Sequence, residues 1–285
     1  MMPASQQDYS KIKGDIKNVF KFYLIAFAAA WAVWIPILLS AYGIINLKIP
    51  LQLSLLAGLA PIGAGVWMTW KENGKQGLKD LLKRWTMINF SWKWYLMALI
   101  LPALNIILPI VFIHSLQLPP LTKWLPIYLM QLPIITFIAI FEEAGWRGFA
   151  SPRLQYRFGK YRSSILMGCL WAVWHWPYWL TPGLGFITNL SISKTIVALL
   201  LSLIGTAAFE TQLTWLFNKV KGSLFFACLF HAAYNALWLS IIACTENKQL
   251  NTTYIGPLIS VAIAVTLFLF DNYFMAKKMN RKPIK

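Results

Sequence analysis

Apolar runs of about 20 residues, the length that carries a helix across a ~30 Å hydrocarbon core, recur from end to end of this chain. Eight can be read, at about 19–42, 50–70, 92–114, 124–145, 163–181, 194–217, 222–244 and 254–275. They leave no room for a water-soluble domain, since the longest intervals between them are the loops near 71–91 and 146–162. Composition agrees: 58% of the residues are hydrophobic and 12% charged, too little charge to cover a soluble domain of this length. The expected fold is all-α, a polytopic membrane bundle of about eight transmembrane helices. One domain is expected over 19–276, between an N-terminal tail at 1–18 and a basic tail at 277–285.

The net charge of +17 suggests a nucleic-acid partner until its distribution is considered. With eight spans and the N-terminus inside, 22 of the 26 lysines and arginines fall on one side, and only Lys48, Lys123, Lys194 and Lys248 on the other. That is the positive-inside pattern, and it predicts both termini in the cytoplasm, the bilayer as partner and no nucleic acid. The first run is longer than a signal-peptide core and seven more follow, so it reads as the first transmembrane helix. Cys169, Cys228 and Cys244 all lie in apolar spans, as packing residues rather than a disulfide framework. Trp67, Trp70, Trp92, Trp94 and Trp124 fall at predicted span ends, where amphipathic rings favour the headgroup level. Gly77–Trp85 has helical apolar spacing with lysines between, and reads either as a helix along the inner leaflet or as a solvated basic loop.

Against this background a few polar residues stand out. Glu142, Glu143 and Glu210 lie at membrane depth, and His175 and His231 lie inside the fifth and seventh spans. Charged groups there are costly, face the bundle interior, and mark function. In IFEEAGWR, Glu143 and Arg147 are at i and i+4 and can pair, while Glu142 points about 100° away. Either one carboxylate holds the arginine and the other serves chemistry, or both clamp Arg147 structurally. In WAVWHWPYW, Pro177 frees the carbonyl of Val173, and His175 lines a polar cavity or links two helices. Trp171, Trp174, Trp176 and Trp179 would wall it. In HAAYN, His231 and Asn235 share one face, as helix glue or as two donors to a developing oxyanion.

Depth joins these signals. At ~1.5 Å per residue, His231 lies about 14 Å in from Gly222, Glu142 about 16 Å from Arg153, and His175 about 20 Å from Arg162. Three helices therefore bring their polar groups to the same half of the membrane, which predicts one site. Glu210 lies at a similar depth, as a partner for His231 or Arg147 or an aid to substrate entry.

The three motifs EEAGWR, WAVWH and HAAYN, in this order on successive helices, resemble the CAAX-protease-and-bacteriocin-processing (Abi) family of intramembrane proteases. The resemblance covers about residues 120–240, and Trp171 departs from it, standing where the family usually has Phe. It implies an intramembrane endopeptidase in the cell membrane, its site opening to the cytoplasm and its substrate a hydrophobic or lipid-modified peptide or protein. It further implies that Glu142 and His175 activate water, that His231 and Asn235 form the oxyanion hole, and that Glu143 and Arg147 support structure or orient substrate. Peptide hydrolysis needs these functions: a base, a proton donor to the leaving amine, and donors where negative charge develops. No cofactor is expected. The nearest alternative is a zinc-dependent version with Glu142, His175 and His231 as ligands and Glu143 as base, but HExxH is missing. Other classes are a non-catalytic immunity or scaffold protein and a transporter, the latter disfavoured by the lack of an inverted repeat.

Overall fold

A computed structural model describes residues 16–113, 117–245 and 252–279, with side chains as far as Tyr273. Most of the expected tails at 1–18 and 277–285 thus lies outside the described residues. Ten α-helices are present among them: α1 (Ile16–Ala41), α2 (Ala60–Trp85), α3 (Trp92–Phe112), α4 (Leu121–Ile138) and α5 (Ile140–Gly145), then α6 (Ser151–Phe158), α7 (Lys160–Trp179), α8 (Ile192–Lys219), α9 (Leu224–Ala243) and α10 (Ile255–Met279). A 3₁₀ stretch, Leu51–Leu59, leads into α2, and one π-helical turn, Trp146–Ala150, joins α5 to α6.

Seven of the resulting segments are long and apolar enough to cross a membrane. They match seven predicted spans, with α4 to α6 forming one near-continuous segment, Leu121–Phe158. The remaining predicted span, 163–181, is α7, which has the length but whose Trp171, Trp174, Trp176, His175, Tyr178 and Trp179 make it less apolar. Four helices carry internal proline (Pro36 in α1, Pro102 and Pro109 in α3, Pro126 and Pro133 in α4, Pro177 in α7), as bundled membrane helices can. The outward face is apolar: α4 has no buried residue at all, and Leu129, Met130, Ile134 and Phe137 are each more than half exposed. In water that stripe would aggregate; in a bilayer it meets its own kind of solvent.

The helix ends assigned to one side by charge do come together. Near the start of α1, Asn18 Nδ2 donates to Glu72 Oε1 (2.8 Å), whose other oxygen receives Arg153 of α6. Lys160 at the start of α7 and Lys219 at the end of α8 both pair with Asp271 in α10. Arg84, at the end of α2, donates to the carbonyls of Arg147 (2.8 Å), Gly148 (3.0 Å) and Gly222 (3.0 Å). At the opposite end Tyr42 Oη reaches the Leu180 carbonyl (3.1 Å). Gly77–Trp85 is helical, the second part of α2 after a break at Gly74 (φ +55°), which decides against a loop. It buries Leu81 against Leu213 and Leu224.

Inside the bundle, small residues let backbones meet, as expected where lipid gives no hydrophobic drive to helix association. A Cβ on Gly145 would lie 2.3 Å from the Pro61 carbonyl oxygen, and one on Gly65 would lie 2.8 Å from Gly145 Cα. Helices α2 and α5 therefore touch backbone to backbone at the glycine of EEAGWR. Gly168 does the same for α7 against α8, where an added Cβ would lie 2.4 Å from Ala207 Cα. A buried polar knot, Asn105 with Gln212 (2.8 and 3.1 Å) and Ser260 Oγ donating to Asn105 Oδ1 (2.6 Å), ties α3, α8 and α10 together.

Candidate active site

The chain enters the site through α5. Glu142 and Glu143 occupy its first turn, and the π-helical turn follows at once, carrying Arg147. Such turns insert an extra residue into a helix and recur at functional sites. Glu143 is 1% exposed and pairs with Arg147 at i+4 (Nη1 to Oε2, 3.2 Å), as the spacing predicts. The other nitrogen of the guanidinium fork, Nη2, pairs with Glu210 of α8. Glu210 also accepts from its own helix, Thr214 Oγ1 to Oε1 (3.0 Å). One arginine thus holds two carboxylates from two helices, and Glu210 is the partner of Arg147 rather than of His231.

His231, on α9 and 4% exposed, meets the other oxygen of Glu143: Nδ1 to Oε1 is 2.8 Å. Spacing within α5 could not foretell this bond, which crosses between helices. It makes Glu143 the joint between the ion pair and the histidine. Asn235 lies one turn beyond His231, half-buried, with no protein hydrogen bond to its side chain among the described residues.

His175, on α7, turns Nδ1 towards the carbonyl of Trp171 (3.0 Å). A carbonyl only accepts, so Nδ1 carries the proton and neutral His175 presents Nε2 as an acceptor. The ring is stacked on Trp179 (centroids 5.1 Å apart, planes at 9°) and meets Trp171 and Trp174 edge to face (4.7 and 4.5 Å). Trp176 is not part of this wall; its indole donates to Ser202 Oγ (3.1 Å). Trp34 of α1 is an additional partner of His175, 5.9 Å away.

Among the described residues, Glu142 has no charged hydrogen-bonding partner. Trp171 Nε1 donates to its Oε2 at 2.9 Å. The same indole stands edge to face against His231 (5.6 Å, 84°) and nearly parallel to Phe209 (6.4 Å, 12°). Trp171 therefore touches Glu142, His175 and His231 at once, and the three polar groups from α5, α7 and α9 surround a single side chain. Burial sorts the cluster into two layers: Glu142, His175 and Asn235 keep part of their surface open, while Glu143, Arg147, Glu210 and His231 are sealed behind them.

A metal centre would need His175, His231 and Glu142 to present ligand atoms to one point. Among the described residues, no three His, Cys, Asp or Glu side chains come together in that way. Each histidine has its Nδ1 engaged and its Nε2 open, and Glu142 Oε2 faces an indole N–H. The three cysteines are not disulfide-bonded.

Comparison with known proteins covers this same region. Residues 123–237 match the model of the family described as Type II CAAX prenyl endopeptidase Rce1-like. That stretch includes Glu142, Glu143, Arg147, Trp171, His175, Glu210, His231 and Asn235. A curated relative, CAAX prenyl protease 2 of Methanococcus maripaludis, is 30% identical over 151 residues, which is 52% of this chain and 51% of that protein. The chain thus spans about half the length of the relative it matches. The resemblance to the CAAX-protease-and-bacteriocin-processing family, read from three short motifs, holds over the whole segment that builds the site.

Proposed function

We propose that the chain is an intramembrane endopeptidase of the CAAX-processing type, hydrolysing a peptide bond by metal-free attack of water. The observation that carries this reading is the convergence of Glu142, His175 and His231 around Trp171, one from each of three helices. Glu142 takes the proton of the attacking water. It is suited to this because it is the carboxylate of the cluster not committed to a cation, and part of its surface is open to substrate. His175 accepts a hydrogen bond from the same water at Nε2, its Nδ1 being held by the Trp171 carbonyl. The proton gained by Glu142 then passes to the leaving amine.

His231 and Asn235 donate to the oxyanion. With Nδ1 against Glu143, Nε2 of His231 donates only when the Glu143–His231 pair holds one proton more than a carboxylate facing a neutral imidazole. Glu143 stabilises that proton and Arg147 holds Glu143 in place. Counting Arg147 against Glu210 and the protonated histidine against Glu143, the buried layer is balanced. The one uncompensated charge is that of Glu142. It disappears when the base accepts its proton, as the oxyanion charge appears beside His231 and Asn235.

The substrate is a hydrophobic or membrane-tethered peptide, and the name of the curated relative favours a prenylated C-terminal one. The basic helix ends that cluster on one side support an opening at the cytoplasmic face, through the positive-inside rule. The test is cleavage of a fluorogenic panel of hydrophobic and lipid-modified peptides by the purified protein, with Glu142→Gln beside it and with exhaustive chelation. Turnover that survives the chelator and is lost in Glu142→Gln supports the reading. Turnover lost to the chelator and restored by zinc replaces the metal-free mechanism with a metal-dependent one, and wild-type turnover by Glu142→Gln removes the base.

A further inference from the structure

We propose that Trp171 is a positioning residue for the reaction: its indole N–H fixes the carboxylate of Glu142, and its ring and carbonyl hold the two histidines in register with that carboxylate. This rests on the reading of Glu142 as the base. Three independent contacts support it. The N–H of Trp171 is 2.9 Å from Glu142 Oε2, a side-chain bond that reaches Glu142 from another helix. The backbone oxygen of the same residue accepts from His175 Nδ1, which sets the tautomer with an open Nε2. The ring then fills the space between the histidines, edge to face with both.

Only tryptophan supplies all three. A phenylalanine at this position would keep a ring against Phe209 and the histidines and would keep the backbone carbonyl, but it has no hydrogen to give Glu142. Glu142 sits at the start of a six-residue helix that runs into a π-helical turn, a short element whose side chains are set by contacts from other helices. Without the N–H its carboxylate rotates about the last side-chain bonds, and water and substrate meet a base in several orientations rather than one. Misplacement of a reacting group by an ångström is enough to cost orders of magnitude in rate. The loss belongs in kcat, because the indole N–H is aimed at the base and not outward at substrate.

Trp171→Phe tests this, measured on the best-cleaved peptide of the panel and beside Glu142→Gln. A hydrogen bond to a charged group, converted to a rate, predicts a fall in kcat of about ten- to a hundredfold with KM changed by less than about twofold. An arm that needs no substrate reads the bond directly. In protein labelled with ¹⁵N at the indoles, the resonance lost in Trp171→Phe identifies Trp171 Nε1–H among the 15 tryptophans. That resonance moves in Glu142→Ala and stays in Glu72→Gln, a carboxylate paired elsewhere with Arg153. A kcat defect together with an indole shift establishes the positioning role. An indole that ignores Glu142→Ala overturns it, and so does Trp171→Phe that keeps its kcat, or that raises KM and lowers thermal stability in step, as lost packing would. If Glu142→Gln still cleaves, the base assignment has failed, and the catalytic half of the proposal falls with it, whatever the indole reports.

Discussion

Replacing Arg147 by methionine keeps most of the side-chain volume and removes the one cation that two carboxylates share. Arg147, Glu143 and Glu210 are 3%, 1% and 1% exposed, so no water screens the loss. Breaking a buried ion pair by deleting one partner costs about 3–5 kcal/mol, because the other charge is left without compensation. Here two are left, although Glu143 retains His231, so the upper part of that range applies. Glu210→Gln is milder: Arg147 keeps Glu143, and the amide oxygen still accepts from Thr214, so the cost is that of a charged hydrogen bond, about 1–3 kcal/mol. The combination is the sharp test. In Arg147→Met/Glu210→Gln the stranded carboxylate of Glu210 is gone, so the double variant should be more stable than Arg147→Met alone. The coupling should therefore exceed the cost of Glu210→Gln alone, about 1–3 kcal/mol. Reversible unfolding in mixed micelles, followed by tryptophan fluorescence and circular dichroism, measures all three. Arg147→Met within about 1 kcal/mol of wild type would refute the reasoning, as would a double variant less stable than Arg147→Met.

Two further substitutions probe the layers around this network. Glu143→Gln should lower both stability and turnover, because it weakens the grip on Arg147 and removes the charge that supports protonated His231; parallel unfolding and cleavage assays should show both losses, where a purely structural Glu143 would show stability loss with kcat preserved per folded molecule. Gly145→Ala forces a methyl to within 2.3 Å of the Pro61 carbonyl, so α2 and α5 must separate at a cost of about 1–3 kcal/mol or more, read as lost yield and a lowered melting temperature. Gly63→Ala, on the same helix as Pro61 but with nothing within 4 Å of the added carbon, is the control and should leave both unchanged.

The fold was legible because lipid imposes a length. Any crossing helix needs about 20 apolar residues, and those runs could be marked off without knowing how they pack. The basic residues added sidedness, and the clustering of Asn18 with Glu72 and Arg153, and of Lys160 and Lys219 with Asp271, agrees with it. Hydropathy is weakest where chemistry interrupts the pattern. The site helix α7 carries His175 among tryptophans and so falls short of the apolar length that marks the other spans, and 77–85, too charged to read as a span, is helical because Leu81 has a core to enter. Packing glycines were invisible as such. Nothing in EEAGWR says that its glycine lies against Pro61 rather than in a turn.

Within the site, periodicity could find partners on one helix and no others. The Glu143–Arg147 pair at i and i+4 follows from geometry every α-helix shares, and it formed. Other bonds of the cluster run between helices: Glu143 to His231 across 88 positions, Arg147 to Glu210 across 63, Trp171 to Glu142 across 29. Depth along the membrane normal narrows such pairings to a layer, but it leaves the azimuth of each helix undetermined. That is why Glu210 could be placed at the right level without its partner, and why Trp171 read as wall. Azimuth also decides exposure. The same layer holds a sealed group, Glu143, Arg147, Glu210 and His231, and a part-open one, Glu142, His175 and Asn235. A base must meet water and a scaffold must exclude it, so the proposed division of labour between two adjacent glutamates rests on the 100° turn between them, with α5 fixed against α2 by Gly145. Rotating α5 by one residue would carry Glu142 to where Glu143 now lies, and the backbone contact of Gly145 with Pro61 opposes that rotation.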